Sequence, residues 1–161
     1  AVFPVSARLP VVPGAQLALR AEDSVAGTWD PDRISDLIAN LVRNAIVHGA
    51  PERPIEVGVR RDAAGATIEV HNWGRAIPPA LQPLLFEPFR RGTDERRSGG
   101  IGLGLYICHA IAVAHGGRIT VTSTEDEGTR FAVTLPFEGS RPTQEGDEAH
   151  PGSGGASIVH H

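Results

Sequence analysis

Lysine is missing from this chain altogether. Its fifteen basic residues are all arginine, which removes Schiff-base chemistry and the phosphate-binding lysine of a Walker loop. Methionine is absent as well, even at position 1, so the chain is expected to be an excerpt from a longer protein. The single cysteine, Cys108, excludes an internal disulfide and fits a reducing compartment. Aromatic residues make up 5% of the chain and the formal charge is −4, so nothing in the totals points to nucleic acid. No apolar run approaches the ~20 residues of a membrane span, and the start lacks the form of a signal peptide. A soluble, cytoplasmic piece is expected, compatible with a membrane-anchored parent.

What remains is enough for one domain with a real core. Residues 1–14 hold three prolines and no clear period, and read as a connector from an upstream domain. Gln16 to Ala21 alternates like a strand. Asp30-Pro31 has the form of a helix start, with aspartate as N-cap and proline at the first helical position. From there to His48, Ile34, Leu37, Ile38, Leu41, Val42 and Ala45 recur at helical spacing. Ile55–Arg60 and Ala66–His71 read as strands joined by a turn at Asp62–Gly65. Pro78-Pro79 opens a short helix or turn, and 90–100 reads as a mobile loop. Leu103 to His115 reads as a second long helix; Arg118–Ser123 and Thr129–Leu135 complete the strands. After Phe137 the composition turns to glycine, serine, proline and acid, the mark of a disordered tail (138–161). The domain proper is therefore 15–137, and its fold class is α/β: a two-layer sandwich with a mixed sheet on about three helices.

Four segments carry chemistry. Asp36, Asn40, Asn44 and His48 are spaced by four and form one polar stripe along the edge of the first helix's apolar face. Asn72-Trp73-Gly74-Arg75-Ala76-Ile77-Pro78 ends a strand in small residues, with an amide able to hydrogen-bond something flat. Phe86-Glu87-Pro88-Phe89 is an apolar anchor ahead of the arginines of the loop. Gly99-Gly100-Ile101-Gly102-Leu103-Gly104-Leu105 opens the second helix, where bare N–H groups and the helix dipole favour a phosphate. Each segment alone has a plain structural reading: a solvated helix edge, a turn, core aromatics, a glycine hinge.

In this order and spacing, the four resemble the N, G1, F and G2 boxes of the catalytic domain of bacterial sensor histidine kinases, within the wider GHKL ATPase superfamily and its Bergerat-type ATP-binding fold. Glu127-Gly128-Thr129-Arg130-Phe131 resembles the family's last small glycine-threonine box. The resemblance covers roughly 15–137. It implies ATP and Mg²⁺ as cofactors, with Asn44 as the metal ligand and Asn40, Asn44 and His48 as the catalytic candidates. The same three would border the nucleotide together with Asn72, Gly74, Ala76, Ile77, Phe89, Gly100, Gly102, Leu103, Gly104, Leu105 and Thr129. Arg90, Arg91, Arg96 and Arg97 are lid candidates with no individual role assigned. Where hydrolysing relatives carry a glutamate that activates water, this chain has Asn40, which cannot take a proton.

Two departures from the family pattern stand out: Val47 replaces the usual basic residue before His48, and Asn72 and Ala76 replace the usual aspartate and second glycine. The family's phosphoacceptor histidine is usually followed by an acidic residue. His48, His71, His109 and His115 are followed by Gly, Asn, Ala and Gly. The resemblance thus implies a γ-phosphoryl transfer to a histidine on a helical-hairpin dimerisation domain absent from this chain, then to a response-regulator receiver domain. The fragment itself is expected to be a monomer. Two other readings stay open: a degenerate GHKL docking module without turnover, and an anti-sigma-type serine kinase.

Overall fold

The computed structural model describes residues 2–3, 13–21, 25–88 and 103–138. Strands β1 (Val2–Phe3), β2 (Leu17–Ala21) and β3 (Val25–Ala26) lead into helix α1 (Pro31–His48). The hairpin β4 (Ile55–Arg61) and β5 (Gly65–Asn72) follows, then a 3₁₀ turn at Gln82–Leu84. Helix α2 (Gly104–Ala114) and the hairpin β6 (Arg118–Thr124) and β7 (Gly128–Pro136) close the domain. Five strands form one sheet in the order β2-β4-β5-β7-β6, with β2–β4 parallel and the other pairs antiparallel. The α/β sandwich and its mixed sheet match the expected class. Among the described residues two α-helices and the 3₁₀ turn stand where about three helices were expected. The stretch expected as a connector supplies β1, which pairs with β3. The tail 139–161 lies outside the described residues.

Local chemistry sets the element ends. The Asp30 carboxylate accepts from the Asp32 and Arg33 N–H groups at 3.0 and 3.3 Å, and Pro31 begins the helix. This satisfies two of the donors a helix start leaves bare. In the β4–β5 turn, Asp62 accepts from the Ala64 and Gly65 N–H groups at 2.9 and 2.8 Å. The core lies between the helices and one sheet face. Ile34, Leu37, Ile38, Leu41, Val42 and Ala45 of α1 meet Val57, Val59, Ile68, Val70, Phe131, Val133 and Leu135. Period-two alternation turns Glu56, Arg60, Glu69 and Arg130 to the other face, where Glu69 binds Arg60 at 2.7 Å and Arg130 at 3.4 Å.

Two contacts fasten α2 to α1. The buried Cys108 thiol donates to the Leu37 carbonyl at 3.5 Å. His115, just past the end of α2, donates from Nδ1 to the Ile111 carbonyl at 2.8 Å and accepts the Asp30 N–H on Nε2 at 3.1 Å. A neutral ring with its hydrogen on Nδ1 makes both bonds. His109 of the same helix stacks on Phe86, centroids 5.9 Å apart.

Burial pushes the Cys108 thiol from 9.0 up to about 12, against a smaller downward effect of its backbone hydrogen bond. The unfolded chain therefore loses this proton first, and stability falls as pH rises from about 9 to about 12. Urea unfolding across that range should show the fall in the parent and a shallower one in Cys108→Ala. Iodoacetamide at pH 8 should label Cys108 only at the rate of unfolding.

Candidate functional site

The polar stripe of α1 meets the start of α2 at Asn40. Asn40 is half-buried; its Nδ2 donates to the Asp36 carbonyl at 3.0 Å and its Oδ1 accepts from Arg43 Nη1 at 3.1 Å. A Cβ built on Gly104 would lie 3.5 Å from that Oδ1, so the first turn of α2 comes up against Asn40 with no side chain between. The half-buried Leu103 and Leu105 flank Gly104, and the Leu103 carbonyl accepts the first α2 bond, from Ile107 N–H at 2.8 Å. The opening amides of a helix lack intrahelical partners, so bare N–H groups gather at this end. Asn44 is half-buried and His48 exposed, one and two turns further along.

The turn after β5 lies against the far end of α1. Asn72 continues the core-facing series Ile68–Val70 and is 3% exposed. Its Nδ2 lies 3.4 Å from where a Cβ on Gly74 would stand. Its Cβ is 3.3 Å from where a Cβ on Gly49 would stand. The Trp73 carbonyl accepts the Ala50 N–H at 2.5 Å. A Cβ on Gly74 would lie 2.3 Å from the His48 carbonyl oxygen. The group that fills the space beside Gly74 is the helix end. Ala76 and Ile77 are half-buried, and Ile77 packs on the core.

Thr129 sits directly across the β5–β7 ladder from Asn72 and is 4% exposed. Its hydroxyl pairs with Ser123 Oγ at 2.7 Å, and that oxygen accepts the Ile77 N–H at 2.8 Å. Gln82 Nε2 donates to the Ile77 carbonyl at 2.9 Å and to the Ser123 carbonyl at 3.3 Å. Gly128, at φ 73°, lets β7 begin hard against β5: a Cβ there would lie 2.4 Å from the Asn72 carbonyl oxygen. Phe86 packs edge-on against Phe131, centroids 6.3 Å apart, and anchors its segment as expected.

The structure thus gathers Asn40, Leu103, Gly104 and Leu105 at one end of the stripe, and His48, Asn72, Gly74, Ile77 and Thr129 at the other. Phe89, Gly100, Gly102 and the lid arginines 90, 91, 96 and 97 lie outside the described residues. Sequence reasoning missed Ser123 and Gln82. Ser123 did leave a signal, being a polar residue in register with inward Ile119 and Val121. Gln82, in a proline-rich turn, left none. A cavity of about 430 Å³ on the opposite sheet face is bordered by Glu56, His71, Trp73 and Arg130, and shares none of the α1 stripe. There His71 donates from Nε2 to the Glu127 carbonyl at 2.5 Å, and its Nδ1 lies 3.5 Å from Glu56.

Residues 29–139 match the family model of histidine kinase-, DNA gyrase B- and HSP90-like ATPases. The chain belongs to this ATPase family. The relatives it matches include sensor histidine kinases. It is 39% identical over 126 residues to a bacteriophytochrome of Pseudomonas aeruginosa, a match covering 77% of this chain and 17% of that protein. It is 32% identical over 123 residues to the sensor histidine kinase component HK1 of Mycobacterium tuberculosis, covering 76% of this chain and 72% of that one. The catalytic domain of the histidine kinase ThkA superposes with a TM-score of 0.73 at 24% identity, covering 86% of this chain and 97% of that one, a likeness of fold. Domains of this family bind ATP, and the fold here is that of histidine kinase catalytic domains. No helix among the described residues is long and apolar enough to cross a membrane.

The tight seat of Gly74 on α1 gives a direct test. Gly74→Ala must displace either the turn or the helix end, and is expected to cost about 1–3 kcal/mol in urea unfolding. Ala76→Gly, at a position with no such contact described, should cost less than about 1 kcal/mol.

Proposed function

We propose that this chain is the ATP·Mg²⁺-binding catalytic domain of a sensor histidine kinase. It would pass the γ-phosphoryl group to a histidine on a helical-hairpin domain outside this chain, for onward transfer to a response-regulator receiver domain. The observation that carries this reading is the meeting of Asn40, at one end of the Asn40–Asn44–His48 stripe, with the bare N-terminal turn of α2. Amide oxygens on one side and helix N–H groups on the other suit a metal-bound polyphosphate.

The division of labour follows from residue chemistry. Asn44 has the hard amide oxygen that Mg²⁺ prefers and is the residue to hold it. The ion, when bound, neutralises charge on the phosphates. The α2 amides from Leu103 to Leu105 would bind phosphate oxygens, and Asn72 would read the base, accepting from an adenine amino group through Oδ1. Asn40 is unable to act as a base towards water: its amide does not take a proton, and its oxygen is already engaged by Arg43. Water is thereby denied the activation it would need, and the phosphoryl group is kept for the imidazole nitrogen of the partner histidine. The P–O bond to ADP breaks as the P–N bond forms, and the domain's task is positioning and charge neutralisation.

Calorimetric titration with ATP, with and without Mg²⁺, tests this. Micromolar to sub-millimolar binding that weakens at least tenfold in EDTA, in Asn44→Ala and in Asn72→Ala is expected. A supplied phosphoacceptor hairpin should then become labelled from γ-³²P-ATP. No binding at millimolar ATP would sink the kinase reading and leave a docking module as the better account.

A further inference from the structure

The segment between Asn72 and Pro78 is held at both ends. At its start, Trp73 and Gly74 rest on the end of α1. At its close, both backbone groups of Ile77 are taken by side chains from elsewhere: the N–H by Ser123 of β6, the carbonyl by Gln82 of the 3₁₀ turn. Gln82 spends its second amide hydrogen on the Ser123 carbonyl, so the two residues are also joined to each other. Arg75 and Ala76 alone span the gap between the two anchorages. Ser123 Oγ, while accepting from Ile77, has its own hydrogen available for Thr129 Oγ1 at 2.7 Å. Thr129 then keeps a hydrogen of its own to donate, directly across the ladder from the buried Asn72 amide. The result is a run of hydrogen bonds, Ile77–Ser123–Thr129, with Gln82 as its outer strut, that ends across the ladder from Asn72.

Resting on the nucleotide reading above, we propose that Gln82 and Ser123 are positioning residues of the nucleotide site. They fix the height of the 74–77 backbone and the placement of the Thr129 hydroxyl beside Asn72, and so preorganise the surface that receives the base. Neither residue need touch the nucleotide. Their contribution is to remove backbone freedom that binding would otherwise have to freeze. A role confined to holding the fold together would appear in stability and not in affinity.

The test is ATP affinity by calorimetry in the full 161-residue chain, alongside the thermal midpoint measured without nucleotide. Ser123→Ala and Gln82→Met, which keep the bulk and remove the hydrogen bonds, are expected to weaken ATP about tenfold each. Each should still unfold cooperatively within a few degrees of the parent. Ser123→Thr, which restores a hydroxyl, should return to within about twofold of the parent. Parent-like affinity in either Ser123→Ala or Gln82→Met overturns the proposal, as does a Ser123→Thr variant as weak as the alanine. A parent that fails to bind ATP overturns the nucleotide reading and this inference with it. A parent that binds, with variants that bind equally well, overturns this inference alone.

Discussion

The arrangement depends on one close approach, the seating of the turn after β5 on the last residues of α1. The His48 carbonyl occupies the space a side chain on Gly74 would need, and Ala50 and Trp73 close the joint with a backbone hydrogen bond. This joint does what hydrophobic packing alone cannot. Apolar contacts between α1 and β5 would tolerate a small slide, whereas a backbone-on-backbone contact has almost no play. The polar stripe of the helix and the amide at the strand's end are therefore held in fixed relation. Gly128 makes the same kind of approach on the other side of Asn72, so the end of β5 is confined from two directions.

Around that fixed corner the rest of the site is assembled from ordinary parts. The helix layer brings amides from α1 and bare N–H groups from α2. The sheet layer brings Asn72 and Thr129 on neighbouring strands in register. Buried amides and hydroxyls at core-facing positions are costly unless something satisfies them. Ser123 meets that need for Thr129, which stands across the ladder from Asn72.

Much of this was legible in the sequence because periodicity and end signals agree. The helical spacing from Ile34 to Ala45, the Asp30-Pro31 start and the Asp62 turn each name a single local structure, and the elements lie within a residue of where those signals put them. The inward alternation of β4 and β7 likewise follows from the pattern. The β1–β3 pairing was not legible, since two-residue strands have no period to read. The seat of Gly74 on α1 was not legible, because sequence cannot tell which neighbour fills a glycine's empty space. Gln82 was invisible for a related reason: its bonds reach β6 across 41 positions of chain, and no local pattern encodes them. Long-range polar contacts of single side chains are the part of a site that composition and spacing do not carry.

The fastening of α2 is uneven along its length. Its far end is tied through His115 to the start of α1, and its middle through Cys108 to the Leu37 carbonyl. The tip at Gly104 meets Asn40 with nothing but backbone. Mechanically this is a lever, pivoted where Leu105 packs on the core and clamped at the root. A tilt at the root would be felt at Asn40, so residues far from the stripe would bear on the width of the gap where the phosphates would lie. Drift in the His115 and Cys108 positions would tune the grip on nucleotide while every motif residue stayed the same.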